Sequence, residues 1–229
     1  MKESNKKNGM IHNVRQAVLV TVVLLLLCGF IFPVLLSGLS ALIFPHQANG
    51  SLVTADGTVV GAKNVGQEFT EDYFMWGRPS AYHYNTYYEE DTDGDGQVEQ
   101  YYNDGSEFAG LSSGSNNYAP SNPALTERVE ADIEAFLAEN PGVAREDIPA
   151  DLMTASGSGL DPHISPAAAQ VQLPAIAEAS GLSPERLAQI VADNTEEKLL
   201  GVFGEETVNV LGVNLDIALA MGLISETEK

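Results

Sequence analysis

Cysteine is nearly absent from this chain. Cys28 stands alone, which excludes an intrachain disulfide and a cysteine-built metal centre. Positive charge is scarce as well: 11 Lys and Arg face 32 Asp and Glu, for a formal net charge of −21. Neutralising phosphates takes clustered cations, so a free nucleic-acid binder is excluded. The 229 residues leave room for one medium domain.

Between Ala17 and Phe44, AVLVTVVLLLLCGFIFPVLLSGLSALIF, charge of either sign is missing for 28 residues. At about 1.5 Å per residue this exceeds the ~30 Å of a hydrocarbon core, so one tilted or kinked helix spans it, with Pro33 as the expected kink. The run is longer than a signal-peptide core of about 7 to 15 residues, and no A-x-A site closes it, so we read a retained anchor. Lys2, Lys6, Lys7 and Arg15 precede the run and the next cation is Lys63, which by the positive-inside bias leaves the N-terminus in the cytoplasm. The expected organisation is a cytoplasmic tail over 1–16, a transmembrane helix over 17–44 and an extracytoplasmic domain over 45–229. That domain holds seven cations against 31 acids.

Within it, SLVTADGTVVGA (Ser51 to Ala62) places β-branched runs around Asp56-Gly57, the pattern of a hairpin. The region near 82–118 is polar, acidic and rich in turn residues, and reads as a long loop or insertion. Three helices share one device, a cap residue followed by proline: Asn122-Pro123, Ser165-Pro166 and Ser183-Pro184. The first carries Leu125, Val129, Ile133, Phe136 and Leu137 at helical spacing and ends at Asn140-Pro141-Gly142; the second is interrupted at Pro174, predicting a kink or split. TVNVLGVNLDIALAMGL predicts a short strand over Val208 to Leu211 and a closing apolar helix. The fold class is therefore an α+β extracytoplasmic domain anchored by one N-terminal transmembrane helix.

TASGSGLDPHIS gathers Thr154, Ser156, Gly157, Ser158, Gly159, Asp161, Pro162 and His163 into one stretch before the Ser165 cap. Its glycines allow positive φ and its hydroxyls bond nearby amides, so backbone scaffolding with partner contact is the first reading. A small-ligand loop and a hydrolytic site are the others. Catalysis would need a base that reaches a serine and is itself oriented. Gly110 to Gly114 also fits G-x-S-x-G, but that motif works only on a strand-to-helix turn. DTDGDGQVE is closer to a calcium loop: Asp91, Asp93 and Asp95 hold the first ligand positions, Gly96 the turn, and Gln97 and Glu99 the later ones, while Tyr102 stands where a bidentate Glu is required. A weak calcium site and a merely solvated acidic loop both stay open.

TASGSGLDPHISPAAA, together with FMWGRPSA (Phe74 to Ala81), SGSNNYAPSNP (Ser113 to Pro123) and GEETVNVLGVNLDIAL (Gly204 to Leu219), resembles the KdpC family. This is the small subunit of the bacterial potassium-transporting P-type ATPase complex KdpFABC. The likeness runs from the apolar stretch nearly to the C-terminus. It implies a single-span protein, not an enzyme by itself, needed for assembly and activity of ATP-driven, high-affinity potassium uptake. The implied partners are the P-type ATPase subunit KdpB, the potassium-translocating subunit KdpA, the small subunit KdpF and the membrane. The family is also described as a catalytic chaperone that raises the ATP affinity of the pump subunit, through a glutamine matched here by Gln172. Family members often carry arginines around it; this chain has Ala175, Glu178 and Ser180, and the charge bias sets Gln172 on the side without ATP. The expectation is ATP on the complex and not on this chain. The stretch from Tyr82 to Phe108 is longer and more acidic than the resemblance implies. An anchored extracytoplasmic calcium-binding or hydrolase module is the alternative function.

Overall fold

The computed structural model describes residues 2–92 and 98–228, with side chains from residue 9 onward. The chain divides into two compact units, one ending at Ser51 and the other beginning at Leu52.

In the first unit, α1 (Lys2–Leu26) continues through a π turn at Leu27–Ile31 into α2 (Phe32–Ile43), followed by the single turn α3 (Pro45–Ala48). Pro33 explains the π turn. It has no N–H for the Gly29 carbonyl and its ring crowds that group, and the wider turn, closed by Phe32 N–H on the Leu27 carbonyl, relieves the conflict. The helix is widened at this point and unbroken. Gly9–Ile43 is 35 residues long and contains an 18-residue window with a mean hydropathy of 3.0, long and apolar enough to cross a membrane.

The second unit mixes helix and sheet. β1 (Leu52–Ala55) and β2 (Thr58–Ala62) form the expected hairpin, its Asp56-Gly57 turn carrying φ of 48° and 75° as a type I′ turn requires. The other edge of β1 pairs with β8 (Thr227–Glu228), a polar strand too short to show a period in the sequence. A second antiparallel sheet has the order β5 (His163–Ile164), β7 (Thr207–Asn209), β6 (Thr195–Glu196).

All three proline-following caps form. Asn122, Ser165 and Ser183 accept N–H groups of α4 (Pro123–Glu139), α5 (Pro166–Ser180) and α6 (Pro184–Asp193). Two sequence expectations need correction. The split at Pro174 does not occur: α5 is one helix across it, because the proline and Gln170, whose carbonyl loses its partner, both lie on the exposed face, within reach of water. The strand expected over Val208 to Leu211 stops at Asn209, whose side chain accepts Gly212 N–H and starts α7 (Val210–Met221).

α7 is apolar over most of its surface because most of it is covered: Val210 to Leu215, Ile217 and Ala218 are buried, while Asp216 and Leu219 reach the outside. Leu211 and Leu215 pack under the hairpin with Val53 and Ala55, while Val210, Val213 and Ile217 enter the main core with Phe136, Leu187 and Ile190.

The region near 82–118 is only partly loop. β3 (Tyr88–Glu90) and β4 (Glu99–Tyr101) pair as an antiparallel ribbon, with the Tyr88 and Tyr101 rings 5.8 Å apart across it. The aromatic rings pack across the ribbon, and between them Gln100 Nε2 donates to Glu89 Oε1 at 2.9 Å, so the neighbouring register pair has a cross-strand contact of its own.

Candidate functional site

The segment from Phe74 to Ala81 lies in none of the three sheets, yet its backbone is held as if by a neighbouring strand. Two buried carboxamides do this. Met75 N–H donates to Asn214 Oδ1 at 2.7 Å, and Asn214 Nδ2 donates to the Met75 carbonyl at 2.9 Å. One residue on, Trp76 N–H donates to Gln172 Oε1 at 2.8 Å while Gln172 Nε2 donates to the Trp76 carbonyl at 3.3 Å and to Ala168 O at 2.9 Å. A carboxamide sets a donor beside an acceptor, so it can replace a strand's edge. Asn214 is 1% exposed and Gln172 2%.

Beyond Trp76 the chain enters an unusual turn. His83, Tyr84 and Asn85 have φ of 45°, 54° and 57°, three consecutive non-glycine residues in the left-handed region. Such residues persist only where the surroundings over-determine them. Here Ser80 Oγ accepts the N–H groups of Tyr82 and Tyr84, Tyr84 OH donates to the Arg78 carbonyl at 2.7 Å, and the Asn85 carboxamide pairs with both backbone groups of Ser112.

TASGSGLDPHIS packs against this turn. Ser80 Oγ donates to the Gly159 carbonyl at 2.7 Å, and Arg78 reaches the Thr154 carbonyl with Nε at 3.1 Å and Asp161 with Nη1 at 3.5 Å. Inside the stretch, Ser156 Oγ accepts Gly159 N–H, Ser158 Oγ accepts Leu160 N–H, and Asp161 Oδ1 accepts His163 N–H. Gly159 has φ of 67°, and its position admits no side chain: a Cβ there would overlap the Gly114 carbonyl oxygen. Gly114 N–H in turn donates to Ser158 O. Pro162 O accepts Val210 N–H at 3.0 Å, joining the stretch to the start of α7. The four motifs that carry the resemblance thus meet at one junction.

The junction borders a cleft of about 370 Å³ lined by Glu68, Trp76, Arg78, His83, Tyr84 and Asp132, among others. His83 Nδ1 lies 2.7 Å from Glu68 Oε1, and Nε2 lies 3.4 Å from Asp104 Oδ2. Burial pushes the Tyr84 phenol up to about 12, and the Asp161 carboxylate adds to the effect. Burial also raises Asp132 above the usual carboxylate range even though Arg128 is paired with it, so at this position desolvation outweighs the ion pair.

These contacts bear on each chemical reading of the sequence. Among the described residues, no hydrogen bond joins Ser156 or Ser158 to His163, whose Nδ1 faces Asp161 at 3.3 Å. Gly110 to Gly114 lies on no strand-to-helix turn. The arrangement is a scaffold in which hydroxyls hold amides, and neither serine is placed to be activated. Of the calcium-like residues, Asp93, Asp95 and Gln97 lie outside the described residues; Glu99 Oε2 accepts from Thr92 N–H and lies within hydrogen-bond distance of its Oγ1, both at 3.2 Å. In this fold Gln172 is bonded to the Trp76 backbone and to Ala168 O, and α5 carries no cation. Sequence reasoning missed Asn214 and Tyr84. An Asn inside an otherwise apolar helix was the available signal for the first, and nothing local marks the second.

The whole chain can be set beside known proteins. A family model described as "K+-transporting ATPase, c chain" (KdpC) matches residues 14–219. The potassium-transporting ATPase KdpC subunit of Clostridium kluyveri is 54% identical over 213 residues, covering 93% of this chain and 96% of that protein. That of Clostridioides difficile is 51% identical over 212 residues, with 92% and 98% covered. The KdpC subunit of Caldanaerobacter subterraneus subsp. tengcongensis is 41% identical over 204 residues, with 89% and 93% covered.

Proposed function

The chain belongs to the KdpC family, the membrane-associated C subunit of potassium-transporting ATPases, and from that premise we propose that it assembles with KdpA, KdpB and KdpF as their non-catalytic partner. The observation that carries this reading is the junction itself: four motifs distant in sequence converge on a rigid surface made of turns, with no nucleophile held by a base. A surface of that kind recognises by shape. We place Lys2 to Arg15 in the cytoplasm, the apolar helix across the bilayer and the α+β unit outside, on the charge asymmetry of the flanks.

In this proposal the chain raises the ATP affinity of the pump subunit without touching nucleotide. The full carboxamide bonding of Gln172 supports an indirect route, in which Gln172 keeps the Trp76 segment in place. A hydrolase would act alone; a subunit would not.

The test is copurification in mild detergent from cells that produce the whole complex. Recovery of the P-type pump subunit with this chain supports the assignment, and a chain that elutes alone refutes it. For orientation, a cysteine introduced by Ser183→Cys, in a chain whose Cys28 is replaced by Ser, should react with an impermeant thiol reagent in intact cells. Labelling only after lysis would reverse the topology.

A further inference from the structure

The link between β6 and β7 ends in a tip that the fold leaves uncovered. Leu199, Leu200, Val202 and Phe203 are 70%, 83%, 74% and 64% exposed, although their backbone is ordered as a tight hairpin. Leu199 N–H donates to the Phe203 carbonyl at 2.8 Å, Phe203 N–H returns to Leu199 O at 3.0 Å, and Gly201 N–H donates to Lys198 O at 2.9 Å. Leu200 holds φ of 57° at the apex, a conformation unfavourable to leucine. Four apolar side chains are thus presented on a fixed turn, with a strained leucine foremost.

The surroundings of the tip select its occupant. Glu196, Glu197, Glu205 and Glu206 flank it in sequence, and the two nearby lysines are already engaged, Lys63 with Glu196 at 2.9 Å and Lys198 with Glu205 at 3.5 Å. Anionic lipid headgroups repel such a rim. A second copy of a chain with net charge −21 brings the same rim and the same repulsion. An apolar socket bordered by basic residues on another protein is complementary in both respects.

We propose that the Leu199–Phe203 tip plugs into an apolar, basic-rimmed socket on another subunit of the potassium-transporting complex. This rests on the subunit reading above. Preformed turns bind at low entropic cost, and burying an exposed leucine contributes about 1.5–3 kcal/mol.

The experiment uses the full complex in native membranes, with a photoreactive phenylalanine analogue at Phe203 and, separately, Leu200→Asn. Asparagine tolerates positive φ, so the second variant removes the apolar contact without straining the fold. We expect cross-linking to an identified subunit of the complex, and about tenfold or greater loss of this chain from the detergent-purified complex for Leu200→Asn. Cross-links to lipid, to a second copy or to nothing would overturn the proposal, as would full retention of the Leu200→Asn chain. If the wild-type chain recovers no pump subunit, the subunit reading fails and this proposal with it. If wild type recovers the pump but the tip results are negative, this proposal alone fails.

Discussion

The junction around Trp76 and the acidic ribbon of β3 and β4 use polar residues in opposite ways. In the junction, the two carboxamides are buried and bonded to backbone groups, Gln172 with Trp76 and Asn214 with Met75, and the hydroxyls hold amides around them. In the ribbon, Glu89 and Glu90 are exposed, Glu89 accepts one bond from Gln100 across the strands, and further order comes from the aromatic contacts of Tyr88 with Tyr101 and of Tyr87 with Phe108, stacked at 4.5 Å. A buried polar group must find its partner or forfeit its desolvation energy, so the junction allows one arrangement; a solvated carboxylate is satisfied by water in many. Shape is therefore tightly specified in the first region and loosely in the second.

The sharpest way to break that contrast is Gly159→Val. A β-branched residue resists φ of 67° and its Cβ would overlap the Gly114 carbonyl, so we expect a loss of more than about 3 kcal/mol, read as a collapse of complex yield or of the thermal transition. Ser158→Ala, at an exposed side chain in the same turn, should cost less than about 1 kcal/mol. Abolished pump activity in a fully assembled Ser158→Ala complex would instead indicate a chemical role.

Next in size are Gln172→Ala and Asn214→Ala. Each strands an N–H and a carbonyl of the 74–77 segment, buried at Met75 and partly buried at Trp76, and about 2–4 kcal/mol should be lost from either, measured by denaturant titration of the full chain in detergent. A double variant losing less than the sum of the two would show that the carboxamides act as one clamp. An altered ATP dependence in an assembled Gln172→Ala complex, absent from Asn214→Ala, would bring direct nucleotide contact back into consideration.

Tyr84→Phe should be milder, about 1 kcal/mol at neutral pH. It should also change the pH profile. A phenol raised from 10.0 to about 12 keeps its proton longer in the folded than in the unfolded chain, so its contribution is full below pH 10 and lost as pH rises toward 12. Alkaline unfolding of the variant should be flatter across that window than wild type.

The smallest effect belongs to the ribbon. Calcium should bind no tighter than about 10⁻⁴ M, because Tyr102 occupies the place of the bidentate ligand. Calorimetry that finds micromolar affinity unaffected by Asp93→Asn would mean that the ligands lie elsewhere.

The sequence by itself determined what depends on neighbours along the chain. A charge-free run of 28 residues defines the long apolar helix, Asp56-Gly57 the hairpin turn, and the three capped prolines the starts of α4, α5 and α6, because a cap, a turn and a helix period are contacts of a few residues. Tertiary structure decided what depends on coverage. Pro174 leaves α5 whole because its weak point faces solvent, and α7 is mostly apolar because it packs under the hairpin through Leu211 and Leu215 and into the helical core through Val210, Val213 and Ile217. The junction is the strongest case: Trp76 and Gln172 are 96 positions apart, and Met75 and Asn214 are 139 apart. No local pattern marks such a pair, since the free energy that joins them arises only when the chain between has folded and water has been excluded from both.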